Sequence, residues 1–423
     1  MSALGALIGL LLAIFLIVKK LSPVYSLMLG ALAGGLIGGF SLSYTVSLMI
    51  SGVNDVTPAV VRILSAGVLS GMLVVTGAAG TISNTIVDRL GTRNVYLSLA
   101  LATMLLTAIG VFIDVAVITV APIALTIGRR LKLSPSALLL MMIGGGKCGN
   151  VISPNPNTII AAENFHADLY SVMYANLIPA VLTLLFTVYV VGRFASRPSM
   201  LGGAVLQGDP ALSQDETQTH KGPSFLASIA GPVVAIALLA LRPVAGIAVD
   251  PLVALPVGGV AGLLATRCWR KAGASLKYGL EKMTGVAVLL IGTGTIAGII
   301  KASSMKDIIV DLLGRAGIGD MLLAPVSGML MSAATASTTA GATVASASFS
   351  DIILATGISG VWGAAMINSG ATVFDHMPHG SFFHATGGVA ELDIRARLRL
   401  IPFESLIGAM LAALSVICYI ILG

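Results

Sequence analysis

Polar residues able to act on a small anion are concentrated between Gly144 and Thr158, which read Gly-Gly-Gly-Lys-Cys-Gly-Asn-Val-Ile-Ser-Pro-Asn-Pro-Asn-Thr. Lys147 offers an ammonium to a carboxylate. Asn150, Ser153, Asn155, Asn157 and Thr158 offer uncharged donors and acceptors suited to a polyhydroxylated ligand. The flanking runs, Ala137 to Ile143 and Ile159 to Ala162, are apolar, so the polar middle falls at membrane depth if the whole stretch crosses a bilayer. Glycine, proline and asparagine in that middle are expected to interrupt a helix. Irregular main chain survives at such depth only where protein or a watery cavity satisfies its N–H and C=O groups. A crossing broken in this way is expected to be a binding site, and a half-helix starting after the break adds partial positive charge. The plainer reading of the same residues is an extramembrane loop between two short helices.

A second interrupted run lies in the other half of the chain, from Asn368 to Ser381. It contributes Asn368 and Ser369 as further ligand contacts, and it carries Asp375, His376 and His379. With His384 it concentrates three of the five histidines, and histidine titrates near physiological pH, so His376 and His379 are expected to move a proton. Asp114, within the apolar stretch Val95 to Ile127, is the third expected proton carrier; a carboxylate at membrane depth is costly and therefore informative. Its plainer reading is a helix cap or a structural ion pair. Ser337 and Thr338, in a turn inside Leu322 to Leu354, complete the expected ligand contacts.

Composition requires a membrane. The chain has 423 residues, 56% hydrophobic and 10% charged, with a mean hydropathy of +0.99. Soluble domains carry about 25% charged residues, so this chain lacks the polar surface to cover a soluble particle. The net charge of +6 suits topology better than nucleic acid, because its basic residues cluster in loops. Three cysteines, Cys148, Cys268 and Cys418, have no paired spacing and suggest neither a disulfide framework nor a metal cluster. Gly144 to Lys147 lacks the first glycine and the following Ser or Thr of a phosphate loop. Gly317-Ile318-Gly319-Asp320 resembles an intramembrane aspartyl protease signature without a partner aspartate in a Tyr-Asp context, and the sequence has no His-Glu-x-x-His or Gly-x-Ser-x-Gly. An enzyme and a cofactor are therefore not expected.

The positioning elements are helices. Ala3 to Val18, Tyr25 to Phe40, about Ala59 to Ala79 and about Met173 to Val191 read as spans. Residues Gly71 to Gly91 align with Gly294 to Gly314 at a shift of 223 positions, with seven of 21 pairs identical, ending in a shared Ile-Val-Asp-x-Leu-Gly. The expected domains are a first repeat over 1–195, a cytoplasmic linker over 196–224 and a second repeat over 225–423. Ser41 to Pro58 has no Lys or Arg, whereas the matching region holds Arg267, Arg270, Lys271 and Lys277, so the copies are expected to face opposite ways. Both termini then lie outside, as do Arg62, Arg242 and Lys301. Val95 to Ile127 and Leu322 to Leu354 read as re-entrant hairpins. The fold class is an all-α integral membrane protein of two inverted-topology repeats, about 10 transmembrane helices plus two re-entrant hairpins, with a broken helix in each repeat. Gly30, Gly34 and Gly38 give the second span a smooth face for a homodimer or an internal contact.

Several of these motifs resemble the gluconate permease family of the ion transporter superfamily, over nearly the whole chain. The family's Phe-Phe-Glu-Val is similar to Phe112-Ile113-Asp114-Val115, followed by Ala121-Pro122, and its Pro-Pro-His-Pro-Gly-Pro is similar to Ser153 to Thr158. Asn368-Ser369-Gly370 resembles its Asn-Asp-Ser-Gly, and Gly341 to Val344 its Gly-Ser-Ala-Thr-Val. Asn155 and Asn157 stand where the family has histidine and glycine, and Asp114 where it has glutamate. The resemblance implies proton-coupled uptake, across the bacterial inner membrane, of a small organic anion such as gluconate, another sugar acid, a hydroxy acid or a D-serine-like amino acid. Membrane lipid is then the surrounding partner. Two alternatives are a sodium-coupled carboxylate transporter of the same superfamily, with Na⁺ in place of the proton, and, more remotely, an intramembrane hydrolase.

Overall fold

The computed structural model describes residues 3–91, 94–195, 222–304, 320–378 and 380–423, and the described residues are helical, with no strand. The first half runs α1 Ala3–Val18, α2 Pro23–Ile37, α3 Leu42–Val75, α4 Ala78–Leu90, α5 Val95–Ala108, α6 Ile113–Leu131, α7 Pro135–Asn150 and α8 Pro156–Asn164. It closes on α9, Leu169–Ala195, which contains a π turn over Thr187–Val191. The second half runs α10 Phe225–Ala245, α11 Pro251–Ala265, α12 Ala272–Lys301, α13 Leu323–Thr335, α14 Thr338–Ala355, α15 Gly360–Gly370, α16 Ser381–Val389 and α17 Ile394–Leu422. Five helices are long and apolar enough to cross a membrane: α3, α9, α10, α12 and α17. Most of the proposed linker, and the second copy of the Ile-Val-Asp-x-Leu-Gly signature, fall outside the described residues.

The described elements of both halves follow a similar order: two apolar helices, one long helix, a helix pair turning on a few residues, an interrupted helix pair and a long closing helix. In the first half α4 stands between the long helix and the first pair, and residues 305–319 of the second half fall outside the described residues. The long helices α3 and α12 pack against each other along their lengths. Gly71 meets the Ser275 carbonyl, Gly67 meets Gly279, and Gly52 meets Gly294 and Gly298, so the two helices run antiparallel. Glycine is required there because a Cβ would overlap the neighbouring main chain. The weakly apolar stretch from Ser41 to Pro58 was expected to lie outside the third span; α3 instead runs through it, starting from a Ser41 cap that accepts the Tyr44 N–H. Pro58 sits inside this helix without ending it.

The glycines of α2 are spent internally. Gly30 and Gly34 lie against Gly9, Gly5 and Ala13 of α1, so this face supplies no surface for a homodimer.

The run Gly144 to Asn150 behaves differently from expectation. It does not break the helix: α7 continues through Asn150, and the interruption comes at residues 151–155. The glycines serve packing. A Cβ on Gly145 would overlap the Ala100 carbonyl, and one on Gly149 would overlap the Met104 carbonyl, so their absence lets α5 lie directly on α7. Gly145→Ala is therefore expected to cost about 1–3 kcal/mol through forced separation of the two helices. Gly80→Ala, in α4 where nothing lies within 4 Å, is expected to be neutral or slightly stabilising. Thermal unfolding of the two variants in the same detergent checks the contrast.

Candidate functional site

Two interrupted helix pairs, α7–α8 and α15–α16, one from each half, meet in the interior. In the first, α7 ends at Asn150 and α8 begins at Pro156, a residue suited to the first helical turn because it needs no N–H partner there. Asn155 caps α8, its Oδ1 accepting the Thr158 N–H at 3.2 Å and the Thr158 hydroxyl at 3.1 Å. Its Nδ2 donates to the Asn150 carbonyl at 2.8 Å and also to the Asn150 side-chain oxygen. In the second, α15 ends at Gly370 and α16 begins at Ser381.

Asn368 joins them. It accepts from Asn157 Nδ2 at 2.7 Å and donates to the Thr158 hydroxyl at 3.0 Å, linking positions 211 and 210 residues apart. Asn150, Asn155, Asn157, Thr158 and Asn368 thus form one continuous polar layer, all buried. Ser153 is fully buried beside it and its hydroxyl has no hydrogen-bond partner. A buried hydroxyl without a partner carries a desolvation cost that a ligand oxygen would relieve. Ser369 turns back on its own helix, donating to the Met366 carbonyl at 3.0 Å. Ser337, half-buried, caps α14 through the Ala340 N–H. Thr338 donates its hydroxyl to Asp375, beside this layer.

Next to this layer is a second one built of charges. Lys147, in the last turn of α7, is fully buried, and its ammonium donates to Asp375 Oδ1 at 2.7 Å and to the Thr372 carbonyl. Asp375 Oδ2 accepts the Thr338 hydroxyl at 2.6 Å. His376 Nδ1 lies 3.0 Å from Lys147 Nζ and 3.1 Å from Asp375 Oδ1, while its Nε2 lies 3.1 Å from both the Ile401 carbonyl and the Ser405 hydroxyl of α17. Glu404, also on α17, pairs with Arg397 two turns earlier; both are buried, and the guanidinium stacks 4.7 Å from the Phe383 ring centroid. Lys147 was expected to face a substrate carboxylate. In this structure its charge is already met by Asp375.

Asp114 stands apart from these charges. It lies in the first turn of α6, its side chain 36% exposed, and its closest cation is Lys282 of α12 at 3.9 Å. The expected grouping of Asp114 with His376 is not made here. Its neighbour Ile113 nonetheless packs on Gly146, next to Lys147. His379 lies outside the described residues. Arg397 and Glu404 were missed as site residues; the signal was available, since Glu404 is an isolated carboxylate in the apolar run 400–422 and is seven residues from an arginine.

Two cavities open around the far end of α8, of about 270 and 190 Å³, and share Glu163. Arg62 of α3 ties this end down, contacting Glu163 and gripping Asp250 in the loop before α11 at 2.8 and 3.0 Å. Hydrogen bonds from Arg62 hold the Asp250 carboxyl below the ordinary carboxylate range, against an opposing effect of burial. A lowered carboxyl contributes stability above its unfolded value and loses it as pH falls through the lowered one, so this clasp loosens only in acid.

A helical chain with several apolar spans and a buried polar junction between two interrupted helix pairs is built as a multi-pass membrane permease. The chain belongs to the GntP family permeases, whose family description it matches over residues 1–422. It is 54% identical over 418 residues to a Haemophilus influenzae protein described as an uncharacterized transporter, covering 99% of this chain and 98% of that one. It is 28% identical over 195 residues to the inner membrane permease YgbN of Escherichia coli, covering 45% of this chain and 42% of that protein. Over 193 residues it is 25% identical to the gluconate permease of Bacillus subtilis, covering 45% of this chain and 43% of that protein. Its fold is similar to that of the Alcanivorax borkumensis YdaH transporter, with a TM-score of 0.65 over 89% of this chain and 88% of that one at 15% identity.

Proposed function

We propose that this permease takes up a small organic anion of the sugar-acid, hydroxy-acid or D-serine-like amino-acid class across the bacterial inner membrane, driven by protons. The observation that carries the reading is the Asn157–Asn368–Thr158 junction, which places uncharged donors and acceptors from both broken crossings at one buried point. Such a layer suits a ligand with several hydroxyls, since a site built to pair polar groups discriminates strongly against analogues that lack them. The carboxylate is drawn by the N-terminus of α8 and the surrounding amides rather than by Lys147, which Asp375 neutralises. Asn150, Ser153, Asn155, Ser337, Thr338 and Ser369 complete the lining. The name of the Bacillus subtilis relative supports the substrate class.

The proton is carried by His376, held between Lys147, Asp375 and α17, with Asp114 as the half-exposed entry carboxylate one residue from the Gly146 contact and with His379 nearby in sequence. The halves 1–195 and 225–423 are inverted repeats joined by the linker 196–224, and α5–α6 and α13–α14 are the two re-entrant hairpins. The antiparallel α3–α12 contact supports this: at the shift of 223, Gly71 against Ser275 becomes Gly294 against Gly52, and both contacts occur. A two-fold axis lying in the membrane plane produces that exchange. Arg62, Arg242 and Lys301, assigned outside with both termini, all border the two cavities at the end of α8. The α3–α12 pair serves as scaffold, against which the broken crossings and hairpins move to expose the site alternately.

Uptake of radiolabelled gluconate, a hydroxy acid and D-serine into proteoliposomes, under an imposed proton gradient and then a sodium gradient, tests the proposal. Accumulation of one of these driven by protons is expected. Accumulation that ignores the proton gradient removes the coupling assignment, and failure of every substrate removes the substrate class.

A further inference from the structure

We propose that the Lys147 ammonium fills a built site for a monovalent cation, so that the protein carries as part of its own chain the positive charge that a metal ion such as Na⁺ would otherwise supply. The inference rests on the reading of the two broken crossings as the transport site. Three oxygens converge on Lys147 Nζ, the Thr372 carbonyl, Asp375 Oδ1 at 2.7 Å and the Glu404 carbonyl at 3.4 Å, and His376 Nδ1 lies 3.0 Å from it. Three oxygens match the three protons of an ammonium. Two of them are main-chain carbonyls, which an ordinary Lys–Asp pair does not need. The Thr372 carbonyl belongs to the unwound chain just past the C-terminal end of α15, where helix dipoles favour a cation.

The cage also has a defined charge. Arg397 and Glu404 neutralise each other on α17, and Asp375 is left as the anion for Lys147. Removing the lysine side chain leaves the buried Asp375 carboxylate without its cation and one position unfilled. Asp375 is not recruited by the lysine alone, because the Thr338 hydroxyl fixes its second oxygen from α14. The carboxylate and carbonyls are therefore oriented by three separate elements of the second half, while the cation alone comes from the first. Deleting that cation is expected to open a site that a small monovalent ion can enter.

The test uses purified full-length protein in detergent and reads melting temperature in about 200 mM sodium, methylammonium or choline chloride. In choline, Lys147→Ala is expected to melt roughly 3–6 °C below the wild type, the loss typical of breaking a buried pair in a chain of this size. Sodium or methylammonium is expected to restore about half of that loss or more, by binding the folded state; choline is too large to enter. Adding Asp375→Asn to Lys147→Ala is expected to abolish the restoration. The wild type is expected to melt identically in all three salts and to bind no ²²Na⁺ at equilibrium, whereas Lys147→Ala binds it. A folded Lys147→Ala that melts alike in sodium, methylammonium and choline overturns the inference. Where Lys147→Ala does not survive purification, Lys147→Ser is taken through the same comparison, and ²²Na⁺ binding by the wild type overturns the inference whatever the variants do. No substrate or proton gradient enters these readouts, so proton-independent uptake would remove the coupling proposal and leave this one standing.

Discussion

In Glu404→Gln, Arg397 keeps a full charge in the interior with no anion to meet it, and folded-state stability is expected to fall by about 3–5 kcal/mol. The size follows from burial. Arg397 is 1% exposed and Glu404 0%, so water cannot replace the lost partner. The remaining acceptors of the guanidinium, the Phe383 carbonyl and the Thr386 hydroxyl at 3.2 Å each, are neutral and cannot balance it. The complementary variant Arg397→Met strands Glu404 beside His376, whose Nδ1 lies 3.9 Å from Glu404 Oε2. Replacing both with methionine removes the two charges together, and the double variant is expected to recover at least about 2 kcal/mol of the single loss, because a buried pair is worth little against apolar groups of similar size. Denaturation of the wild type, Arg397→Met, Glu404→Met and the double variant in one detergent measures the cycle. Single and double variants of equal stability would show that the pair is not desolvated as the structure has it.

How much of this was legible in the sequence depended on the kind of signal. Runs of apolar residues gave helices directly: α1 covers Ala3–Val18, the bounds read from hydropathy, and the helix pairs turn at Gly110 and at Ala336, where positive φ ends a helix. Glycine misled at Gly144 to Gly149, since its low helix propensity in water says little where neighbouring main chain packs into the space left by the missing side chain. The polar layer was nearly all named, because Asn, Ser and Thr between prolines in a hydrophobic chain are conspicuous. Which of them pair was not visible: Asn157 and Asn368 are 211 positions apart. The fate of Lys147 was hidden for the same reason, its partner lying 228 residues away. Arg397 stands in sequence between Arg395 and Arg399, yet helix periodicity turns it alone inward toward Glu404.

Asn157→Ala and Asn368→Ala are each expected to lower uptake by about 10–100-fold, the consequence of about 1–3 kcal/mol when a buried amide loses its partner at the ligand site. Asn368 is the more exposed to damage, because its side chain serves both Asn157 and Thr158, and Thr158 in turn holds Asn155. Loss at Asn368 therefore reaches back to the cap of α8 and to the Asn155–Asn150 contact that spans the break. The double variant is expected to be no worse than Asn368→Ala alone, since the two side chains share one interaction. A purely structural junction would also lower uptake, so the deciding readout is the rise in melting temperature on adding the transported anion. A ligand site predicts that this rise disappears in both single variants while Thr187→Val, buried away from the junction in the π turn of α9, keeps it. Uptake within twofold of the wild type in Asn157→Ala, with the ligand-induced rise intact, would place the substrate somewhere other than the meeting point of the two crossings.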